Sequence, residues 1–134
     1  MDIGDKAKAL HDDKSQKLNC AQCVLCSLSE KTGLDDGAAR RLASGFGGGM
    51  RCGEICGAVS GGAMAIGLAA SDGDGTAQGM TAPLVTELCR SFKKQYGALR
   101  CSELVAANGG KQMCPELISY CARLAAAIIE SNKK

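Results

Sequence analysis

Tryptophan is absent from this 134-residue chain, and the remaining aromatics are Phe46, Phe92, Tyr96 and Tyr120 alone. So thin an aromatic content offers no platform for stacked bases, which argues against nucleic acid as a partner. Charge of one sign is missing as well. Sixteen basic and 14 acidic residues leave a formal net charge of +2, too small a field to draw the chain to nucleic acid or a membrane surface. The longest largely apolar stretch, residues 63–70, falls well short of the roughly 18 residues a membrane span requires. No membrane insertion is expected.

Histidine is reduced to His11, in a polar helical stretch where a solvated role is expected. With one histidine, Ser-His-Asp triads, histidine-rich zinc sites and haem attachment through Cys-x-x-Cys-His drop out. Strands are missing too: no stretch alternates with period two, and β-branched residues are sparse. The glycine run Gly45-Phe46-Gly47-Gly48-Gly49-Met50 breaks the Gly-x-Gly-x-x-Gly pattern and has neither a strand before it nor Gly-Lys-Ser/Thr after it. Residues 1–17 lack the apolar core of a secretion signal, so a reducing, cytoplasmic setting is expected.

Against these absences stand 18 glycines and nine cysteines, an odd number that cannot be fully paired. The apolar spacings are helical, which predicts an all-α fold: one domain over residues 1–134, a compact bundle of five to six helices around a glycine-rich central helix. A polar helix occupies residues 2–17. Asn19 caps a second helix, with Gln22 three residues on, ending at Gly33. Asp35 or Asp36 caps a third, which dissolves into the glycine run. The central helix covers residues 54–70, opened by Gly53-Glu54. Thr81 begins a fifth, whose stripe is Leu84, Leu88, Phe92 and Tyr96, and Gly97 ends it. A short turn after Cys101 and a loop at Gly109-Gly110 lead to the last helix from Cys114-Pro115-Glu116. The glycines of the central helix each cost roughly 1 kcal/mol relative to alanine, so something is expected to press closely on Gly57 and Gly61.

Four thiols fall at expected helix N-termini: Cys20 after its cap, Cys56 in the first turn of the central helix, Cys101 before Ser102-Glu103, and Cys114 as the cap before Pro115. Unpaired N–H groups and the positive end of the helix dipole favour thiolate there, the species that binds metals and attacks disulfides. Arg51 and Arg100 act in the same direction. Cys89 and Cys121 lie mid-helix on apolar faces and read as core residues. Cys23 and Cys26 continue a Cys-x-x-Cys-x-x-Cys run from Cys20, but Cys26 swings off the shared face. Cys52 sits in the glycine run with its role open.

Asn19-Cys20-Ala21-Gln22, then Gly53-Glu54-Ile55-Cys56-Gly57-Ala58-Val59-Ser60-Gly61, then Cys101 and Cys114, resemble the C-GCAxxG-C-C family, named for a redox role, across essentially the whole chain. The resemblance implies that Cys20, Cys56, Cys101 and Cys114 are the signature thiols. Split-Soret cytochromes carry a similar domain, which implies an iron–sulfur centre, and the family's genes often neighbour those of membrane transporters. The leading expectation is therefore an iron–sulfur cluster ligated by Cys20, Cys56, Cys101 and Cys114, with Gly53 and Gly57 against the cofactor, serving electron transfer or redox sensing. The second is metal-free thiol–disulfide chemistry in which Cys56 attacks and Cys20 or Cys114 resolves. The third is a binding or scaffold module whose cysteines only pack. The redox partner has no signature in the sequence, and a homodimer is left open.

Overall fold

The structure, a computed structural model, describes residues 2–107 and 110–133. Eight α-helices run through them: α1 (Ile3–Asp12), α2 (Cys20–Ser27), α3 (Ser29–Thr32), α4 (Asp36–Ala43), α5 (Gly57–Ala70), α6 (Ala82–Tyr96), α7 (Cys101–Ala107) and α8 (Cys114–Asn132). Among the described residues there is no strand, only an isolated antiparallel bridge between Ile55 and Arg100. The helical class is as expected, and the count exceeds the five to six anticipated. Gly109 of the expected Gly109-Gly110 loop lies outside the described residues.

Each extra break has a local cause. The first helix stops at Asp12 because the Asp13 carboxylate captures the Ser15 hydroxyl at 2.6 Å and the Gln16 amide at 2.7 Å, offering the chain a turn instead of another helical step. Ser27 Oγ donates back to the Val24 carbonyl at 2.7 Å, and Leu28 leaves helical geometry (φ −99°, ψ 11°), which splits α3 from α2. Gly33 then closes α3 in the left-handed region expected of a C′ glycine. Asn19 and Gln22 form the reciprocal capping box at α2: each backbone N–H donates to the other's side-chain oxygen at 2.8 Å.

Helix α5 is central, packed against α2, α3, α6 and α8. Its glycines do unequal things. A methyl on Gly61 would sit 2.7 Å from the Ala21 carbonyl oxygen, and one on Gly57 would sit 3.0 Å from the Phe46 carbonyl oxygen and 3.3 Å from Cys20 Cβ. Gly62 faces the Leu88 side chain, and nothing lies within 4 Å of a methyl at Gly67. The close approach expected at Gly57 and Gly61 is thus an approach to α2. That neighbour is the more buried of the two, since α2 hides six of its eight residues and α5 seven of its 14. The core between them and α8 is aliphatic, from Leu25, Leu28, Ile66 and Ile118, while Phe92, Tyr96 and Tyr120 form a ring cluster between α6 and α8 with centroids 5.0–6.3 Å apart. No helix among the described residues is long and apolar enough to cross a membrane.

Candidate functional site

The segment between α4 and α5 makes one end of the bundle. Gly48, Gly49, Met50 and Arg51 all adopt left-handed backbone (φ 60°, 65°, 62° and 62°). For Met50 and Arg51, which carry Cβ atoms, this costs about 1–2 kcal/mol each. Gly49 has no alternative: a Cβ there would strike the Glu54 carbonyl oxygen and come within 2.8 Å of Cys101 Cβ. The tight turn lets the Glu54 N–H reach the Gly49 carbonyl at 2.9 Å. Residues 54–56 then clasp 99–101. The Cys56 N–H donates to the Leu99 carbonyl at 2.8 Å and the Cys101 N–H to the Glu54 carbonyl at 2.6 Å, with Arg100 paired to Glu54 at 3.0 Å. Gly53, expected against a cofactor, turns the chain (φ 76°) and offers its carbonyl to Ser102 Oγ at 3.0 Å.

This clasp delivers the thiols. Cys20 is the first residue of α2 and Cys101 of α7. The other two stand one register from expectation. Cys56 is the N-cap of α5 rather than in its first turn, because the clasp holds it extended, and Cys114 is the first residue of α8 rather than its cap, a place Met113 takes. Cys20 and Cys114 border the same cavity and influence each other's protonation, while Cys56 is close enough to feel charge on Cys101 and Cys114. All nine cysteines are unbridged.

The electrostatics separate the four. A thiol donated by Cys20 holds the Cys114 sulfur down to about 7, against the opposing effect of burial and with help from the Lys111 ammonium. The same hydrogen bond, with burial added, drives Cys20 far above the ordinary range. Within the pair, negative charge is therefore favoured on Cys114, at the mouth of the 19-residue α8. Cys56 is 4% exposed, and burial pushes it up to about 11 although the N–H groups of Ala58 and Val59 pull the other way. Its burial makes it a poor attacking thiol.

A cavity of about 570 Å³ opens over Cys20, Cys101 and Cys114. His11, Asp12, Lys14, Arg51 and Lys111 line it. His11 was expected to be solvated. Instead its side chain is 23% exposed and its Nδ1 lies 3.3 Å from the Asp12 carboxylate. Sequence spacing carried no signal for it, because α1 and α8 meet only through tertiary packing. The remaining cysteines stay apart from the cavity: Cys23, Cys26 and Cys121 are buried in the core, Cys89 packs against it, and Cys52 is exposed with its thiol turned to the Gly49 carbonyl.

Among the described residues, no three His, Cys, Asp or Glu side chains converge closely enough to hold a metal ion. Cys20, Cys101 and Cys114 border one cavity and Cys56 lies close to the last two, so the four thiols gather at one end of the bundle.

The family model described as "Putative redox-active protein (C_GCAxxG_C_C)" matches residues 18–128. No curated protein and no solved structure matches the chain. The chain belongs to the C_GCAxxG_C_C family.

Proposed function

We propose that this protein is a dithiol–disulfide redox protein whose working pair is Cys114 and Cys20. The observation that carries the reading is that Cys20 and Cys114, at the N-termini of α2 and α8, border one cavity, where the Cys20 thiol and the Lys111 ammonium lower Cys114 from its ordinary value. An attacking thiol is most effective when its pKa lies near the ambient pH, because a lower value sacrifices nucleophilicity and a higher one leaves too little thiolate. Cys114 meets that condition; Cys56, at about 11, does not. The nucleophile is therefore assigned to Cys114 rather than to Cys56.

The chemistry balances within the pair and a partner disulfide. The Cys114 thiolate attacks one sulfur of the partner, forming a mixed disulfide and expelling the other sulfur as a thiolate. Cys20, relieved of its hydrogen bond to the former Cys114 thiolate, then loses its proton to solvent. Its thiolate attacks Cys114 Sγ, closing a Cys20–Cys114 disulfide and expelling the second partner thiolate. The protein gives up two electrons and the partner disulfide takes them. Cys56 and Cys101, held by the clasp beneath the pair, set its electrostatic surroundings.

The test begins with anaerobic purification and analysis for iron and acid-labile sulfide. The expected preparation is colourless, and oxidation with hydroxyethyl disulfide removes two hydrogens and links the peptides containing Cys20 and Cys114. A brown protein with stoichiometric iron and sulfide would replace this reading with the cluster-binding one. A colourless protein forming no such link would leave the cysteines as packing residues.

A further inference from the structure

The cavity above the pair carries more information than redox chemistry requires. Lys14, Arg51 and Lys111 line it, and none of the three has an ion-pair partner among the described residues. Among the described residues of the lining, Asp12 is the one acidic side chain. A chain of nearly balanced charge thus concentrates uncompensated positive charge at the opening over its reactive sulfur. Arg51 adds an independent observation. It is placed there by a left-handed backbone that a residue with a Cβ disfavours (φ 62°, ψ 12°), and its guanidinium reaches the Ser44 carbonyl at 3.4 Å. Strain of this kind persists where the surroundings enforce it, and it gathers at functional sites. A volume near 570 Å³ falls in the range of small-molecule pockets.

We infer that the cavity selects anionic low-molecular-weight disulfides, compounds bearing carboxylate or a similar anionic group within a few bonds of the sulfur, as the partners of Cys114. Arg51, Lys14 and Lys111 hold the anionic group while the sulfur meets Cys114. Arg51 is a specificity-determining residue and does not touch the reacting sulfurs. The electron balance is that of the pair: two protein thiols become one disulfide, and one anionic disulfide becomes two anionic thiols. This inference rests on the dithiol reading of the same site.

Three aliphatic disulfides of similar size test it on the reduced 134-residue protein: dithiodipropionate, which is dianionic; hydroxyethyl disulfide, which is neutral; and cystamine, which is dicationic. After correction for the reactivity of each with a free thiol, the anionic compound is expected to oxidise the protein about tenfold or more faster than the neutral one, with cystamine slowest. The preference should shrink as ionic strength rises. Arg51→Gly fits the left-handed backbone, so this variant should melt no lower than the parent, and its rate with dithiodipropionate should fall several-fold further than its rate with hydroxyethyl disulfide. Lys14→Gln with Lys111→Gln provides the second arm. Equal corrected rates for all three compounds, or a preference untouched by Arg51→Gly and by the lysine pair, overturn the inference. Failure of the neutral compound to yield any Cys20–Cys114 link would instead sink the dithiol reading, so the two failures are distinguishable.

Discussion

Helix α2 carries two cysteine neighbourhoods that differ in almost every physical respect. At its first residue, Cys20 borders the same cavity as Cys114, and the two thiols shift each other's protonation in opposite directions. Within the next two turns, Cys23 and Cys26 are buried, pushed up to about 12 and about 11 by burial first, then by each other's charge at Cys23 and by Asp36 at Cys26. The residue type is the same and the helix is the same. What differs is whether the sulfur has a neighbouring thiol and a cation to favour its charge, or burial and a nearby carboxylate or thiol that penalise thiolate. A Cys-x-x-Cys spacing therefore says little about reactivity until the helix end and its neighbours are known.

The sharpest way to break this comparison is at Cys114. Cys114→Ser should lower the rate of oxidation by a small disulfide by about 100-fold or more, while Cys23→Ala and Cys26→Ala stay within about twofold of the parent. Mass-mapped disulfide formation checks it, and comparable losses at Cys23 would erase the distinction.

A second test acts on the contact that holds α2 in place. Gly61→Ala puts a methyl against the Ala21 carbonyl oxygen and should destabilise the fold by about 1–3 kcal/mol. Gly67→Ala meets open space and should stabilise it by about 0.5–1 kcal/mol. Chemical melts give both values, and a stabilised Gly61→Ala would mean that the helix approach has slack.

The pH dependence offers a finer probe. Alkylation of Cys114 should rise through a midpoint near 7 and level off above it, since its folded value is depressed, while Cys23 and Cys26 remain slow until the pH approaches their raised values of about 12 and about 11. In Cys20→Ala the donor is gone, and the Cys114 midpoint should climb back toward the ordinary value of about 8.5. Lys111→Gln should raise it in the same direction but by less, because Lys111 acts behind the Cys20 hydrogen bond. Site-resolved mass spectrometry across pH 5–10 reads all of these, and a midpoint indifferent to Cys20 would break the idea that the two thiols shift each other's protonation.

Much of this arrangement is written in local chemistry. The Asn19–Gln22 capping box, the closing roles of Gly33 and Gly97, the placement of Pro115 in the first turn of α8 and the helical spacing of apolar residues are short-range signals, so all-α class and the helix-end address of four thiols could be read directly. Side-chain competition at Asp13 and Ser27 was harder to weigh, because such residues sit in helices as often as they break them. The two helices beyond six are α3, split from α2 at Ser27, and α7, which forms where a turn was expected after Cys101.

Tertiary structure alone decided which thiols meet and what surrounds them. Cys20 and Cys114 are far apart in the chain, and only the packing of α2 and α8 around α5 brings their sulfurs together. His11 and Arg51 likewise reach the cavity by α1 lying along α8 and by a left-handed turn, neither of which leaves a periodic trace in the residues. Helix propensity and capping act over four residues or so, and they can be read from neighbours in the chain. The protonation of a thiol responds to whatever charge, donor or apolar surface stands within a few ångströms of it, and the folded packing alone sets that distance.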